Sequence, residues 1–193
     1  AAGGNRNNME TFTKLTASAN PRGYIVAYVD HVSPASASAV DGIGQVPTLV
    51  AKTWCVDPAR VYMTGHSDGG SVIYLLLARN TWGIRPAAIA PSAAGVSGNT
   101  VKQISCLEKP LPTMVIHSKN DSLFPGFGAQ VKDWWYGCNG CSAWSTVSGC
   151  KVASGCKDGA EVQYCETSGS HGQWPGLNSQ MMAFFQRFAN VGP

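Results

Sequence analysis

The sequence predicts an α/β fold built on a mainly parallel sheet flanked by helices, and three observations predict it. Strand-like apolar runs alternate with helical ones along the chain, the pattern of strand-helix-strand units with a parallel sheet. The run Tyr-Ile-Val-Ala-Tyr-Val at 24–29 is almost continuously apolar, as suits a strand covered on both faces. Residues 61–70, Val-Tyr-Met-Thr-Gly-His-Ser-Asp-Gly-Gly, carry a short strand through a glycine-bounded turn straight into the apolar helical run 72–78. In such folds functional side chains gather at the carboxyl ends of the strands.

Taken in order, residues 8–19 read as a helix, with Asn7 or Asn8 as cap and Met9, Phe12, Leu15 and Thr16 on one face. Gly23 punctuates the start of a strand at 24–32, and a Ser/Ala-rich loop at 33–38 leads to a helix at 45–54 with Pro47 near its beginning. Strand 60–64, helix 67–80, strands 87–91 and 113–117, helix 128–136, strand 161–166 and helix 179–189 follow. No internal repeat or linker interrupts this, so residues 1–193 are expected to form a single domain, with the Gly/Ser/Cys-rich stretch 137–159 as a surface excursion pinned by disulfides. A sheet position between strands 24–32 and 60–64 would ordinarily be filled, yet no strand precedes the loop Gly3-Gly4-Asn5. Either the sheet closes around an absent strand or, the favoured expectation, it lacks its N-terminal strands in this chain and is completed by an upstream polypeptide segment.

Composition narrows the class. A net charge of +3 with 13% charged residues offers no basic stripe for nucleic acid. No apolar run approaches the roughly 20 residues of a membrane-spanning helix. Seven cysteines, five of them between Cys138 and Cys165, fit an oxidising compartment, so the protein reads as secreted. The start, Ala1-Ala2-Gly3-Gly4, lacks the basic and apolar regions of a signal peptide, which is expected to have been removed or to lie upstream. Cys138-x-x-Cys141 with Cys150, Cys156 and Cys165 lacks the second tight pair of a zinc site, and no metal is expected. Two bridges are expected within that region and a third between Cys55 and Cys106, leaving one cysteine whose partner would lie upstream.

The chemistry centres on Ser67. A serine on a tight strand-to-helix turn needs small neighbours two residues away on each side, and Gly65, Gly69 and Gly70 supply them. The alternative is a structural Gly-Ser turn. A serine hydroxyl becomes nucleophilic only when a histidine takes its proton and a carboxylate orients that histidine, in the chain order Ser, acid, His for this kind of turn. Asp121 follows the strand 113–117 in the loop Ser118-Lys119-Asn120, with Asp133 and Asp158 as rivals. Of four histidines only His171, past the strand 161–166, has the expected order and loop setting; His31 and His117 end earlier strands and His66 sits within the turn. The oxyanion is expected to meet the backbone N–H of Asp68 and a second donor from Gly3 and Gly4. His66 and Trp174 are the expected substrate contacts, Trp174 stacking on an aromatic acyl group, whereas Trp134, Trp135 and Trp144 read as core or loop anchors.

These residues resemble an extracellular esterase family that joins polyhydroxybutyrate depolymerases to feruloyl and acetyl xylan esterases. The likeness is carried by 55–70 (Cys-Val-Asp-Pro-Ala-Arg-Val-Tyr-Met-Thr-Gly-His-Ser-Asp-Gly-Gly), 90–94 (Ala-Pro-Ser-Ala-Ala), 112–121 (Pro-Thr-Met-Val-Ile-His and on to Asp) and 165–176, which holds His-Gly-Gln-Trp-Pro-Gly; Gly3-Gly4-Asn5 resembles the tail of the family's oxyanion loop. The family pattern is His-Gly where this chain has His117-Ser118, and a glycine cluster where it has Ser168-Gly169-Ser170. The resemblance implies an α/β-hydrolase fold, no metal or organic cofactor, and hydrolysis of carboxylic esters through an acyl-enzyme, on feruloyl or acetyl esters of plant polysaccharide. The rival substrate is a polyhydroxyalkanoate, for which an open apolar groove is expected. An acyltransferase would use the same residues. A non-catalytic binding module on the same scaffold is the reading from another class, and a complete Ser, Asp, His set argues against it.

Overall fold

A computed structural model describes residues 2–190. Its centre is a six-stranded sheet in the order β1-β2-β3-β6-β5-β4. Strands β1 (Tyr62–His66), β2 (Ala88–Ser92), β3 (Thr113–Ser118) and β6 (Val162–Thr167) are parallel, and β5 (Cys150–Ser154) and β4 (Ala143–Val147) extend the far edge antiparallel. Every residue of β2 and β3 is buried, because helices cover both faces.

The period-two alternation of the strands divides the core. On one face Ile89 and Val115 pack with Ile73, Tyr74 and Leu77 of α4 (Asp68–Arg79), Val101 of α5 (Gly98–Val101) and Val131 and Trp135 of α6 (Phe127–Cys138). On the other, Ala88, Ala90, Met114 and Ile116 meet Leu15 and Ala19 of α2 (Leu15–Ala19) and Met181, Met182, Phe184 and Phe185 of α7 (Asn178–Phe185). The small β2 alanines leave room for the phenylalanines opposite. A third cluster joins Val40 of α3 (Ala37–Thr53) to Val72 and Leu76.

Five expectations need correction, the last of them a disulfide pairing. The single helix at 8–19 is two, α1 (Arg6–Thr13) and α2, divided at Lys14, whose φ of 50° lies in the left-handed region. The helix expected at 45–54 begins eight residues earlier, at Ala37, and runs through Pro47; Gly44 faces Leu76 Cδ2, which a Cβ would approach to 2.9 Å, so close helix packing overrides the local breakers. Residues 24–32 are extended but belong to no strand, and their side chains alternate between half-buried Tyr24, Val26 and Tyr28 and exposed Ile25, Ala27 and Val29. The cysteine-rich excursion holds the β4–β5 hairpin, so part of it extends the sheet.

Cys141–Cys156 and Cys150–Cys165 are the two bridges of that region. Cys106 pairs with Cys138 and not with Cys55, because the loop after α5 passes the C-terminus of α6. Cys55 is the leftover thiol and is exposed. Among the described residues no helix is long and apolar enough to cross a membrane.

Candidate active site

Ser67 sits between β1 and α4 with φ 56° and ψ −118°, a strained conformation for a residue with a side chain. It is held by close packing on both sides. A Cβ on Gly65 would lie 2.5 Å from the Gly69 backbone, and one on Gly70 would lie 2.8 Å from the Ser92 carbonyl oxygen. Ser67 N donates to that same carbonyl at 2.9 Å, which fixes the turn against β2.

The loops after β3 and β6 bring the other two residues to it. His171 Nε2 lies 2.9 Å from Ser67 Oγ, and His171 Nδ1 lies 2.8 Å from Asp121 Oδ2. With Nδ1–H donating to the carboxylate, Nε2 is free to accept the serine proton. Asp121 is 2% exposed, and its Oδ1 accepts from Leu123 N at 3.0 Å and Phe124 N at 2.9 Å. Burial pushes its carboxyl up, but hydrogen bonds from His171 and Phe124 N, with the neighbouring imidazoles of His171 and His117, outweigh it and hold the pKa below the ordinary carboxylate value. Asp133 and Asp158, the sequence rivals, lie elsewhere: Asp133 pairs with Lys132 and Asp158 belongs to a short turn after β5.

His66, expected as a substrate contact, has both ring nitrogens bonded within the protein. It is 3% exposed, its Nδ1 lies 3.1 Å from Ser92 Oγ and its Nε2 lies 2.7 Å from the His171 carbonyl oxygen. The carbonyl can only accept, so Nε2 carries the proton and Nδ1 accepts from the Ser92 hydroxyl. Burial lowers its pKa to about 4. With both ring nitrogens engaged, His66 ties the His171 backbone to the sheet and has no polar atom left for substrate. Trp174 is half-buried, donates Nε1–H to Asn178 Oδ1 at 2.7 Å, and meets Phe12 and His66 edge-on.

Asp68 opens α4, where its backbone N–H belongs to the unpaired first turn. Its carboxylate lies 2.9 Å from His31 Nε2, and His31 N donates to the Gly4 carbonyl at 3.1 Å. His31 therefore links the Gly3-Gly4 loop to the residue after the serine. Arg6 adds a clamp, pairing with Asp30 at 2.6 Å.

Several supports carried no signal in the sequence. Phe124 packs edge-on against His171 at 5.1 Å, and its carbonyl oxygen accepts from His117 Nε2 at 2.8 Å. Ser118 Oγ donates to the Gly169 carbonyl and Asn120 Nδ2 to that of Ser168 at 2.6 Å, which anchors the loop bearing His171. The contacts to the His171 loop each span more than forty residues, so no local pattern marks them. Among the described residues no group of three His, Cys, Asp or Glu is placed to hold a metal ion.

A parallel sheet with helices on both faces, a serine on the turn between strand and helix, and an acid and a histidine on later strand ends define the α/β-hydrolase fold. Solved structures of that architecture are similar to this chain. An acetyl xylan esterase from Aspergillus awamori superposes with a TM-score of 0.71 at 14% identity, covering 95% of this chain and 85% of that one. The S-formylglutathione hydrolase of Staphylococcus aureus gives 0.62 at 14% identity over 97% and 76%. A truncated carbohydrate esterase from gut microbiota gives 0.60 at 17% identity over 90% and 77%. No protein-family model and no curated protein matches the sequence.

Proposed function

We propose that this chain is a serine carboxylic ester hydrolase that works through an acyl-enzyme on acetyl or hydroxycinnamoyl esters of plant polysaccharide, and that it is exported to an oxidising compartment. The hydrogen-bonded chain Ser67–His171–Asp121, with the serine on a strained turn, carries the reading. In the first half-reaction Ser67 Oγ bonds to the ester carbonyl carbon as His171 Nε2 takes its proton, and Asp121 stabilises the imidazolium. The negative oxygen is met by Asp68 N–H and by the Gly3-Gly4 loop that His31 holds nearby. Collapse breaks the carbon–oxygen bond to the sugar, which leaves with the proton from His171; water then repeats the sequence and releases the acid. Similarity in fold to an acetyl xylan esterase and a carbohydrate esterase supports carbohydrate esters as substrates. Three disulfides support export.

Ser67→Ala is expected to lower kcat/KM on an acetylated xylan and on a feruloyl ester by about 10³-fold or more with an unchanged circular dichroism spectrum. Retention of a tenth of the activity overturns the assignment. A wild-type enzyme that spares both esters yet cleaves a 3-hydroxybutyrate oligomer moves the substrate to polyesters.

A further inference from the structure

The hydrogen bonds at the His171 nitrogens do not fix the plane of its imidazole. Asp121 Oδ2 anchors Nδ1 at 2.8 Å, and the ring can pivot about that one bond. The contact from Nε2 to Ser67 Oγ at 2.9 Å adds little restraint, because a serine side chain can change rotamer and follow the base. That contact is also lost during turnover: an acylated Oγ has no proton to give, yet the same imidazole must then take one from water in the same place. Packing supplies the restraint. The Phe124 ring stands edge-on to the His171 ring, with an interplanar angle of 80° and centroids 5.1 Å apart. Phe124 is itself pinned: its N–H donates to Asp121 Oδ1 at 2.9 Å, its carbonyl accepts from His117 Nε2 at 2.8 Å, and its ring stacks on Phe127 at 5.6 Å. The tip of the ring abuts Gly95 in the loop after β2, where a Cβ would come within 2.8 Å of Phe124 Cζ and 3.1 Å of Cε2. Gly95 is in turn fixed to the nucleophile's own helix, since its N–H donates to Ser71 Oγ at 2.9 Å and Ser71 Oγ donates to the Ser67 carbonyl at 3.2 Å.

These contacts close a circuit from Ser67 through Ser71, Gly95, Phe124 and His171 back to Ser67, and its last link is the hydrogen bond that acylation removes. Resting on the hydrolase reading, we propose that Phe124 and Gly95 are positioning residues that set the place of the His171 imidazole relative to Ser67. The rest of the circuit keeps Nε2 beside Oγ after that bond is gone, so the base meets the incoming water already in place. Glycine is required at 95 because a methyl there would push the ring tip off its seat. The ring has little room to yield, held as it is by Phe127 and by both of its own backbone bonds. A displacement of about 1 Å at a reacting group costs roughly 10²-fold in rate, so a single packing contact can govern the chemical steps. A Phe124 that instead lined the site and touched substrate would act on binding.

Phosphonylation by an alkyl fluorophosphonate, followed by intact mass, reads the serine and histidine together without needing a particular ester. Ser67 Oγ bonds to phosphorus, fluoride leaves, and His171 takes the hydroxyl proton. Saturation separates the limiting rate kinact from the binding constant KI. Phe124→Ala is expected to lower kinact by about 10- to 100-fold with KI unchanged, and kcat on an acetylated xylan in step with it. Gly95→Ala is expected to lower kinact by about tenfold. Adding Phe124→Leu to Gly95→Ala is expected to restore most of that loss, because leucine lacks the Cζ, Cε1 and Cε2 atoms that the new methyl would strike. A double variant no faster than Gly95→Ala alone overturns the proposal, since independent defects only add. A raised KI with kinact intact also overturns it and makes Phe124 a wall of the substrate site. Should Phe124→Ala fail to fold, by circular dichroism, the Gly95→Ala variant with and without Phe124→Leu decides the matter. A wild type left unlabelled at Ser67 removes the hydrolase reading itself, whereas a wild type and variants labelled equally fast remove only the positioning.

Discussion

At the scale of residues, the site is held by hydrogen bonds among its own groups, and those of His66 are the clearest. Its neutral form bridges Ser92 and the His171 backbone, and burial lowers its pKa from 6.5 to about 4. The unfolded chain therefore binds a proton at higher pH than the folded one, and stability rises with pH wherever it does so. His66 leaves stability intact above pH 6.5 and erodes it as pH falls from there to about 4, by on the order of 3 kcal/mol in all. Asp121, held below the ordinary carboxylate value, loses its contribution only at more acid pH. Urea titrations at steps between pH 4 and 7 are expected to show this slope in the wild type and a flatter one in His66→Gln. Identical slopes would mean that another group titrates.

At the scale of elements, the tertiary surroundings overrule local preference in both directions. The apolar period of 8–19 is helical throughout, yet Lys14 turns left-handed so that α2 can lie against α7 while α1 approaches the site. That conformation costs a non-glycine residue roughly 1–2 kcal/mol, of which glycine's greater freedom in the unfolded chain returns a part. Lys14→Gly is accordingly expected to stabilise by up to about 1 kcal/mol, a rise in Tm of about 2–4 °C for a chain of this size. A fall in Tm would show that the lysine side chain contributes more than its backbone costs. The segment 24–32 errs the other way: it has the composition of a strand, but a strand is defined by its ladder, and no pattern in one segment reveals whether a partner stands beside it.

At the scale of the whole molecule, the sheet separates chemistry from reinforcement. Ser67 follows β1 at one edge, whereas the disulfide-stapled β4–β5 hairpin occupies the other. Cys141–Cys156 closes a sequence separation of 15, for which the loss of unfolded-state freedom amounts to about 3 kcal/mol. Removing it as Cys141→Ala with Cys156→Ala is expected to lower Tm by about 6–12 °C while leaving kcat/KM at moderate temperature unchanged. A loss of activity at temperatures where the variant is fully folded would show that the hairpin acts on the site.

Ser67, Asp121 and His171 were legible because each lies at a strand end in a fixed chain order, and because strained turns demand glycines at fixed offsets. The parallel core strands were legible for a similar reason: burial on both faces writes a continuous apolar run into β2 and β3. Only the tertiary structure decided what depends on distant neighbours. It paired Cys106 with Cys138, joined His66 to the His171 backbone, added β4 and β5 to the sheet edge and left 24–32 without a ladder. The physical reason is one of range. Periodicity and turn chemistry act over a few residues and are written in order along the chain, whereas hydrogen-bond partners and disulfides are chosen in space, among groups that sequence order alone does not bring together.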